Sequence, residues 1–322
     1  MDVTTLRDEF ATLLGDTTTA FKSKVLVWMN DIENEISISH TWSFLRSRGS
    51  KTLTASQEIQ KLSFNTPNAP TAVLVAGGSL VDTAVYLVKV AFYDSLYDVE
   101  SLPSAQSASL TATGVNKQIN LSVIPISADI GVTSRRIYLS KNGGAFYLQG
   151  VISDNTTTIY SITTEPTSVV TPETDSFINK IDGSPFLTTS NGWLKYQSQA
   201  QFQYLYATQQ SSGLPDIWSD LSIDKISVYP RPSEATVLNF NYFKKPRGLF
   251  VGGETTIPRM LKEVFEAGVE YKGYKYRDRD GYVSKKQIYD ALLKEAIEDF
   301  GSPVRVAARV RDVMGSSDGF IN

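Results

Sequence analysis

The chain has 322 residues, a formal net charge of −3, 41% hydrophobic and 11% aromatic residues, no cysteine and one histidine. Two domains is the natural expectation at that length, and the absence of cysteine removes disulfides, thiolate metal sites, iron–sulfur clusters and cysteine nucleophiles together. With His40 as the sole imidazole, acyl-transfer triads and histidine-based zinc sites have almost nothing to be built from.

The N-terminal stretch Met1–Leu14 carries Asp8 and Glu9 and lacks the basic start and apolar core of a signal peptide, so a cytoplasmic product is expected. No window has the long uncharged apolar run of a membrane helix. Leu6, Phe10, Leu13 and Leu14 recur at helical spacing, with Gly15 as the stop. Thr17–Thr19 offer caps for a second helix, whose apolar stripe is Phe21, Val25, Trp28, Met29, Ile32 and Ile36. It ends at His40, where an extended segment begins.

From about 66 to 170 the composition turns to Thr, Ser, Val and Gly. Seven short runs read as strands: Ala72–Val75, Val85–Tyr93, Ala108–Thr113, Ile119–Ile124, Arg136–Ser140, Phe146–Ile152 and Thr157–Tyr160. Gly77-Gly78, Asn142-Gly143-Gly144 and Asp154-Asn155 punctuate them, which is the pattern of an all-β sandwich. Beyond Pro172, the residues Trp193, Tyr196, Phe202, Tyr204, Tyr206 and Trp218 suggest an aromatic β region. Ile226 and Val228, then Leu238, Phe240 and Tyr242, alternate as half-buried strands around the turn Tyr229-Pro-Arg-Pro232. Pro258 opens a helix with the stripe Leu261, Val264, Phe265, Gly268, Val269. A last helix is expected from a Ser284/Gln287 capping box, with Ile288, Leu292, Leu293 and Ile297 inward and Gly301 as its stop. Residues 304–322 read as an extended arm.

The N-terminal helices are too few to bury their stripes alone, and the C-terminal helices with the aromatic strands are likewise half a core. The fold class expected is therefore α+β: a helical domain with an antiparallel β part, residues 1–65 plus 172–303, interrupted by an all-β sandwich at 66–171. Asn65-Thr-Pro67-Asn-Ala-Pro70 and Glu165-Pro-Thr-Ser-Val-Val-Thr-Pro172 would be the paired linkers. Sandwich termini at opposite ends would argue instead for a string of three domains.

Several words in this order carry resemblances. Tyr86–Asp94 followed by Glu100-Ser-Leu-Pro-Ser104, Ser134–Tyr138, Tyr147–Gly150 and Asp154–Tyr160 resemble immunoglobulin-like and fibronectin type III-like modules of phage structural proteins. Outside them, Trp42–Arg46, Gly213-Leu-Pro215, Ile226–Pro232, Leu238–Pro246 and Ile257-Pro258 resemble, across nearly all of the host region, the head-to-tail adaptor (connector) proteins of short-tailed phages. That resemblance implies a virion neck protein: a homo-oligomeric, usually twelvefold ring bound to the portal protein. It would extend the DNA channel without sequence-specific contact and hold tail or nozzle proteins. That no catalytic residue, metal or cofactor is expected, and that the protein is not an enzyme, rests instead on absences: no cysteine, one histidine, no phosphate loop and no metal-ligand spacing. The simplest members of that family lack the sandwich. An alternative is a virion surface or tail module that binds host glycans through the sandwich. A glycan hydrolase would need two carboxylates on one cleft, and no pair suggests itself.

Individual candidates have plain structural readings. His40 beside Trp42 reads as a helix-end residue, since no second His or Cys completes a constellation. Tyr276-Arg-Asp278-Arg-Asp280-Gly281 imitates part of a calcium loop, but Tyr276 and Gln287 stand where Asp and a bidentate Glu are required. Asp31/Glu35 and Glu295/Asp299 sit at helical i,i+4 spacing as solvated pairs. Between Lys244 and Arg311 fifteen Lys/Arg outnumber ten Asp/Glu, which suits docking on a charged partner rather than a nucleic-acid stripe. Within that excess, Lys244, Lys245 and Arg247 form one basic spot. Arg305, Arg309 and Arg311 form a second, expected to dock the arm on an acidic neighbouring subunit such as the portal.

Overall fold

The computed structural model describes residues 1–300 apart from 191, 207, 278 and 279. Its α-helices are α1 (Val3–Leu13), α2 (Thr19–Ser39), α3 (Gln199–Tyr206), α4 (Lys262–Tyr276) and α5 (Tyr282–Phe300). By compactness the chain divides into two units: Met1–Arg46 with the described residues from Pro246 onward, and Ser47–Lys245. The interruption expected at 66 and 171 therefore falls inside the second unit. The expected arm, 304–322, lies outside the described residues.

The first unit is helical. The Asp2 carboxylate caps α1 by accepting from Thr5 N at 2.6 Å, and the Thr18 hydroxyl caps α2 through Phe21 N at 3.3 Å. Phe21, Val25, Met29, Ile32 and Ile36 are buried as the spacing requires, together with Leu261, Val264, Phe265 and Val269 of the C-terminal part. Gly268 lets α4 approach α2 and α5 closely: a Cβ there would sit 2.8 Å from Ile32 and 3.0 Å from Tyr289. Two expectations fail here. α5 begins at Tyr282, so Ser284 lies in its first turn and is not its cap. Its buried residues are Tyr289 and Ala296, whereas Ile288, expected inward, is 49% exposed.

The second unit is built from strands alone, α3 excepted, and this overturns the expected class of a helical adaptor domain interrupted by one immunoglobulin/fibronectin-like sandwich. Among the described residues strand outweighs helix, and the strands form five sheets. Three of those sheets lie outside 71–162. One runs in the order Arg46–Thr52, Val237–Lys244, Ile178–Leu187, Gly192–Trp193; another runs Lys195–Tyr196, Ile217–Ser222, Lys225–Tyr229, Ile59–Lys61; and Ser212–Gly213 pairs with Arg231–Pro232. Nor is this part purely antiparallel, since Lys195–Tyr196 and Ser212–Gly213 each pair in parallel. Its core of Leu53, Leu62, Trp218, Ile226, Val228, Leu238 and Phe240 also takes in Phe92, Val99 and Val132.

The Gln199–Tyr206 stretch, expected as strand, is α3. Gln, Ala and Leu favour helix, Phe202 and Tyr206 fall one turn apart with rings 5.4 Å from each other, and Ser198 Oγ accepts from Gln201 N at 3.4 Å.

Within 71–162 the strands fall close to the expected places. Thr71–Val75, Gln118–Ser122 and Tyr160–Ile162 make one sheet; Val85–Asp94, Ser134–Lys141 and Tyr147–Ile152, with the short Val99–Glu100 and Leu110–Thr111, make the other. Residues of both sheets share a core that includes Tyr86, Val88, Val90, Ile119, Leu121, Ile137 and Leu139. One edge of the Val85–Asp94 strand is covered without a regular strand. Ser101, Ser104 and Ser107 donate their backbone N–H to the carbonyls of Phe92, Val90 and Val88 at 2.7–2.8 Å. Their hydroxyls accept in turn from the backbone N–H of Phe92, Val90 and Val88 at 2.9–3.0 Å. Three serines at a spacing of three thus satisfy the pairing that an edge strand would otherwise leave open.

The chain enters this segment at Thr71, opposite Ser122, and leaves its last strand at Ile162, opposite Ile119, so the terminal strands run parallel and end far apart. Residues 163–176 then bring the chain back, with Val170 O accepting from Leu148 N at 2.8 Å on the way. The rings of Phe64 and Phe177 finish 5.1 Å apart. Departure and return are adjacent despite the opposed strand ends.

Candidate functional site

Most residues singled out from the sequence are absorbed by packing. His40 is the C-terminal cap of α2, its ring edge-on to Trp42 at 5.4 Å. Tyr276 packs at a tilt against Trp28 and Phe21, lies under the Lys24 ammonium at 4.1 Å and also bonds Lys24 through its hydroxyl. Arg277 reaches Asp16 at 3.4 Å. Asp31 and Glu35 flank one ammonium, that of Lys272, at 3.8 and 3.7 Å. Glu295 and Asp299 are exposed. Lys244 donates to Tyr97 O at 3.3 Å and Lys245 pairs with Asp175. Asp278, Arg279, Arg305, Arg309 and Arg311 lie outside the described residues. Among the described residues there is no group of three His, Cys, Asp or Glu side chains able to hold a metal, and no helix long and apolar enough to cross a membrane.

Buried charges at two places were not visible in the sequence. Glu33, 1% exposed on α2, accepts from the Thr255 hydroxyl at 2.9 Å, from Thr256 N at 2.8 Å and from the Thr256 hydroxyl. Burial pushes its carboxyl above the ordinary range, and these donors only partly oppose that. In the second unit, Lys51 pairs with Asp129 at 2.5 Å, both over nine-tenths buried, and donates to Ser63 O at 3.1 Å. Asp129 also accepts from Asn65 N at 2.6 Å and Asn65 Nδ2 at 3.0 Å. Burial pulls the Lys51 ammonium below its usual value, against the opposing pull of Asp129. Phe92, Val99 and Val132, from the 71–162 strands and loops, join the same core as Phe64, Phe177 and Tyr242. Residues 71–162 therefore share a core and a buried ion pair with the strand body.

Two surfaces among the described residues offer room for a partner or ligand. The first is α5, nineteen residues of which only Tyr289 and Ala296 are buried; Val283, Ile288 and Phe300 are about half exposed and Leu292, Leu293 and Ile297 are intermediate. The second is a groove of about 490 Å³ between the Ile178–Leu187 and Ile217–Ser222 strands, lined by side chains of both and by Tyr196. Both strands depart from regular register beside it, between Asp182 and Phe186 and between Asp220 and Ser222. Tyr196, 53% exposed, stands edge-on to Trp218 at 5.1 Å and donates to Asp220 Oδ1 at 2.8 Å. That bond raises the phenol's pKa.

Set against models of known protein families the chain matches none, and no curated protein matches it.

Proposed function

We propose that this protein is a structural, ring-forming component of a tailed-phage virion, seated between portal and tail, where it extends the DNA channel and holds tail components. The observation that carries the reading is the half-covered α5. A helix with Val283, Ile288, Leu292, Leu293, Ile297 and Phe300 incompletely buried has apolar surface left for a neighbour. The same face repeated around a rotation axis gives heterologous contacts that close into a ring. The buried ion pair Lys51–Asp129 agrees with this role, because a neck protein must transmit position rather than swing. The order of the adaptor-like words from Trp42 to Pro258 agrees as well. In this reading Arg305, Arg309 and Arg311 dock on an acidic surface of the portal.

Native mass spectrometry with and without portal protein tests the assembly. Wild type is expected as a closed oligomer, and Ile288→Asp as a monomer with unchanged far-UV circular dichroism, since Ile288 is already half exposed. A wild-type chain that stays monomeric at every concentration, with portal present, refutes the proposal.

A further inference from the structure

The geometry points to a saccharide-binding groove in the strand body, formed where Tyr196 and the bulged strands Ile178–Leu187 and Ile217–Ser222 meet. This goes beyond the ring and is independent of it. It also differs from glycan binding by the sandwich, because no lining residue belongs to 71–162.

The strands diverge from their neighbours at the groove itself. Asp182 and Phe186 are four residues apart, but their partners Asn241 and Asn239 are two apart; Asp220 and Ser222 face the adjacent residues Ile226 and Lys225. Bulges of this kind re-aim side chains and recur beside functional sites. Gly183, at φ +73° with open space where a Cβ would stand, sits inside the first of them and lines the groove. Two separate irregularities turned to one cavity are more than a packing defect needs.

The side chains they present suit a sugar. Tyr196 offers an exposed aromatic ring, held by Asp220, against which the apolar C–H face of a pyranose can stack. Around it stand the Asn179 amide, the Lys180 ammonium and the Ser184 and Ser222 hydroxyls, none with a side-chain hydrogen bond or ion pair among the described residues. Trp218 lines the same cavity, 5% exposed, and its indole N–H has no hydrogen-bond partner. Lys180 and Asp220 balance each other in charge, which disfavours a phosphorylated ligand. The apolar lining is limited to Ile181, Ile223 and the two rings, too little for a lipid chain. The volume falls within the roughly 300–1,000 Å³ of small-molecule clefts.

Saturation-transfer NMR on the full chain tests this with maltohexaose, cellohexaose and chitohexaose as probes. Transfer to at least one is expected, weakened at least tenfold by Tyr196→Ala and by the surface change Lys180→Met, and unchanged by Trp193→Ala. Trp193 is 66% exposed but lies off the groove, so it controls for casual stacking. No transfer to any probe overturns the inference, as does binding that survives both groove changes or is lost only in Trp193→Ala. Oligomeric mass recorded on the same variants is expected to match wild type, which separates failure of the groove from failure of the ring.

Discussion

Replacing Ser104 by alanine removes one hydroxyl that holds two positions at once. Its oxygen accepts from Val90 N at 3.0 Å and it donates to Ala105 O at 2.7 Å. Ala105 is exposed, so its carbonyl can turn to water. Val90 is 0% exposed, and its N–H has no other acceptor nearby among the bonds of that strand edge. The cost is therefore that of one buried unsatisfied donor, about 1–3 kcal/mol. The backbone bond from Ser104 N to Val90 O, 2.7 Å, survives the change, so the coil should stay in place and the penalty should stay local. Amide hydrogen exchange reads it directly. The Val90 amide is expected to exchange about 5- to 140-fold faster, at tenfold per 1.4 kcal/mol. Ser161→Ala, an exposed control, should fall within about 0.5 kcal/mol of wild type. If Ser104→Ala and Ser161→Ala are indistinguishable, the serine ladder is decoration and not pairing.

Further changes probe the buried charges and the helix contact. Lys51→Met leaves Asp129 buried without its cation and should cost about 3–5 kcal/mol in chemical denaturation, while Lys51→Met/Asp129→Asn should cost less than the sum of its parts. The raised carboxyl of Glu33 makes the folded first unit bind more protons than the unfolded chain from about 4.5 up to its folded value. That contribution is complete below 4.5 and is lost as pH rises through the folded value. The Tm of Glu33→Gln should therefore improve relative to wild type as pH rises from 4 to 7; a difference that does not move with pH contradicts the assignment. Gly268→Ala forces a methyl against Ile32 at 2.8 Å. Overpacking of about 1–3 kcal/mol, offset by about 1 kcal/mol of helix propensity, should lower Tm by a few degrees.

The parts legible in the sequence were those whose side chains obey one period. The Phe21–Ile36 stripe, the Leu261–Val269 stripe and the strands of 71–162 each repeat without interruption, and each forms close to where its pattern lies. Ile178–Leu187 is a ten-residue strand that left no such trace, because Lys180, Asp182, Gly183, Ser184 and Pro185 fall across its bulge and break the alternation. The same irregularity hid the groove, whose residues come from three strands that only tertiary pairing brings together. Aromatic content misled at α3, where Phe202 and Tyr206 mark one helical face rather than a sheet. In α5 the apolar residues were visible, but which would be covered was not: Tyr289, chosen by contact with Gly268, took the inward place that Ile288 seemed to own. Buried ions such as Lys51 and Asp129, seventy-eight residues apart, have no sequence signature at all.

The contact between the Phe64 and Phe177 rings, 5.1 Å apart, ties both ends of the intervening stretch to one core, so exchanging that stretch would rethread no strand of the body beneath. The obstacle to such a swap is chemical and not topological. Whatever replaced the segment would have to supply an anion to Lys51 and apolar groups where Phe92, Val99 and Val132 now sit, or find the lysine already mutated. The socket, more than the connection, decides which modules this body can accept.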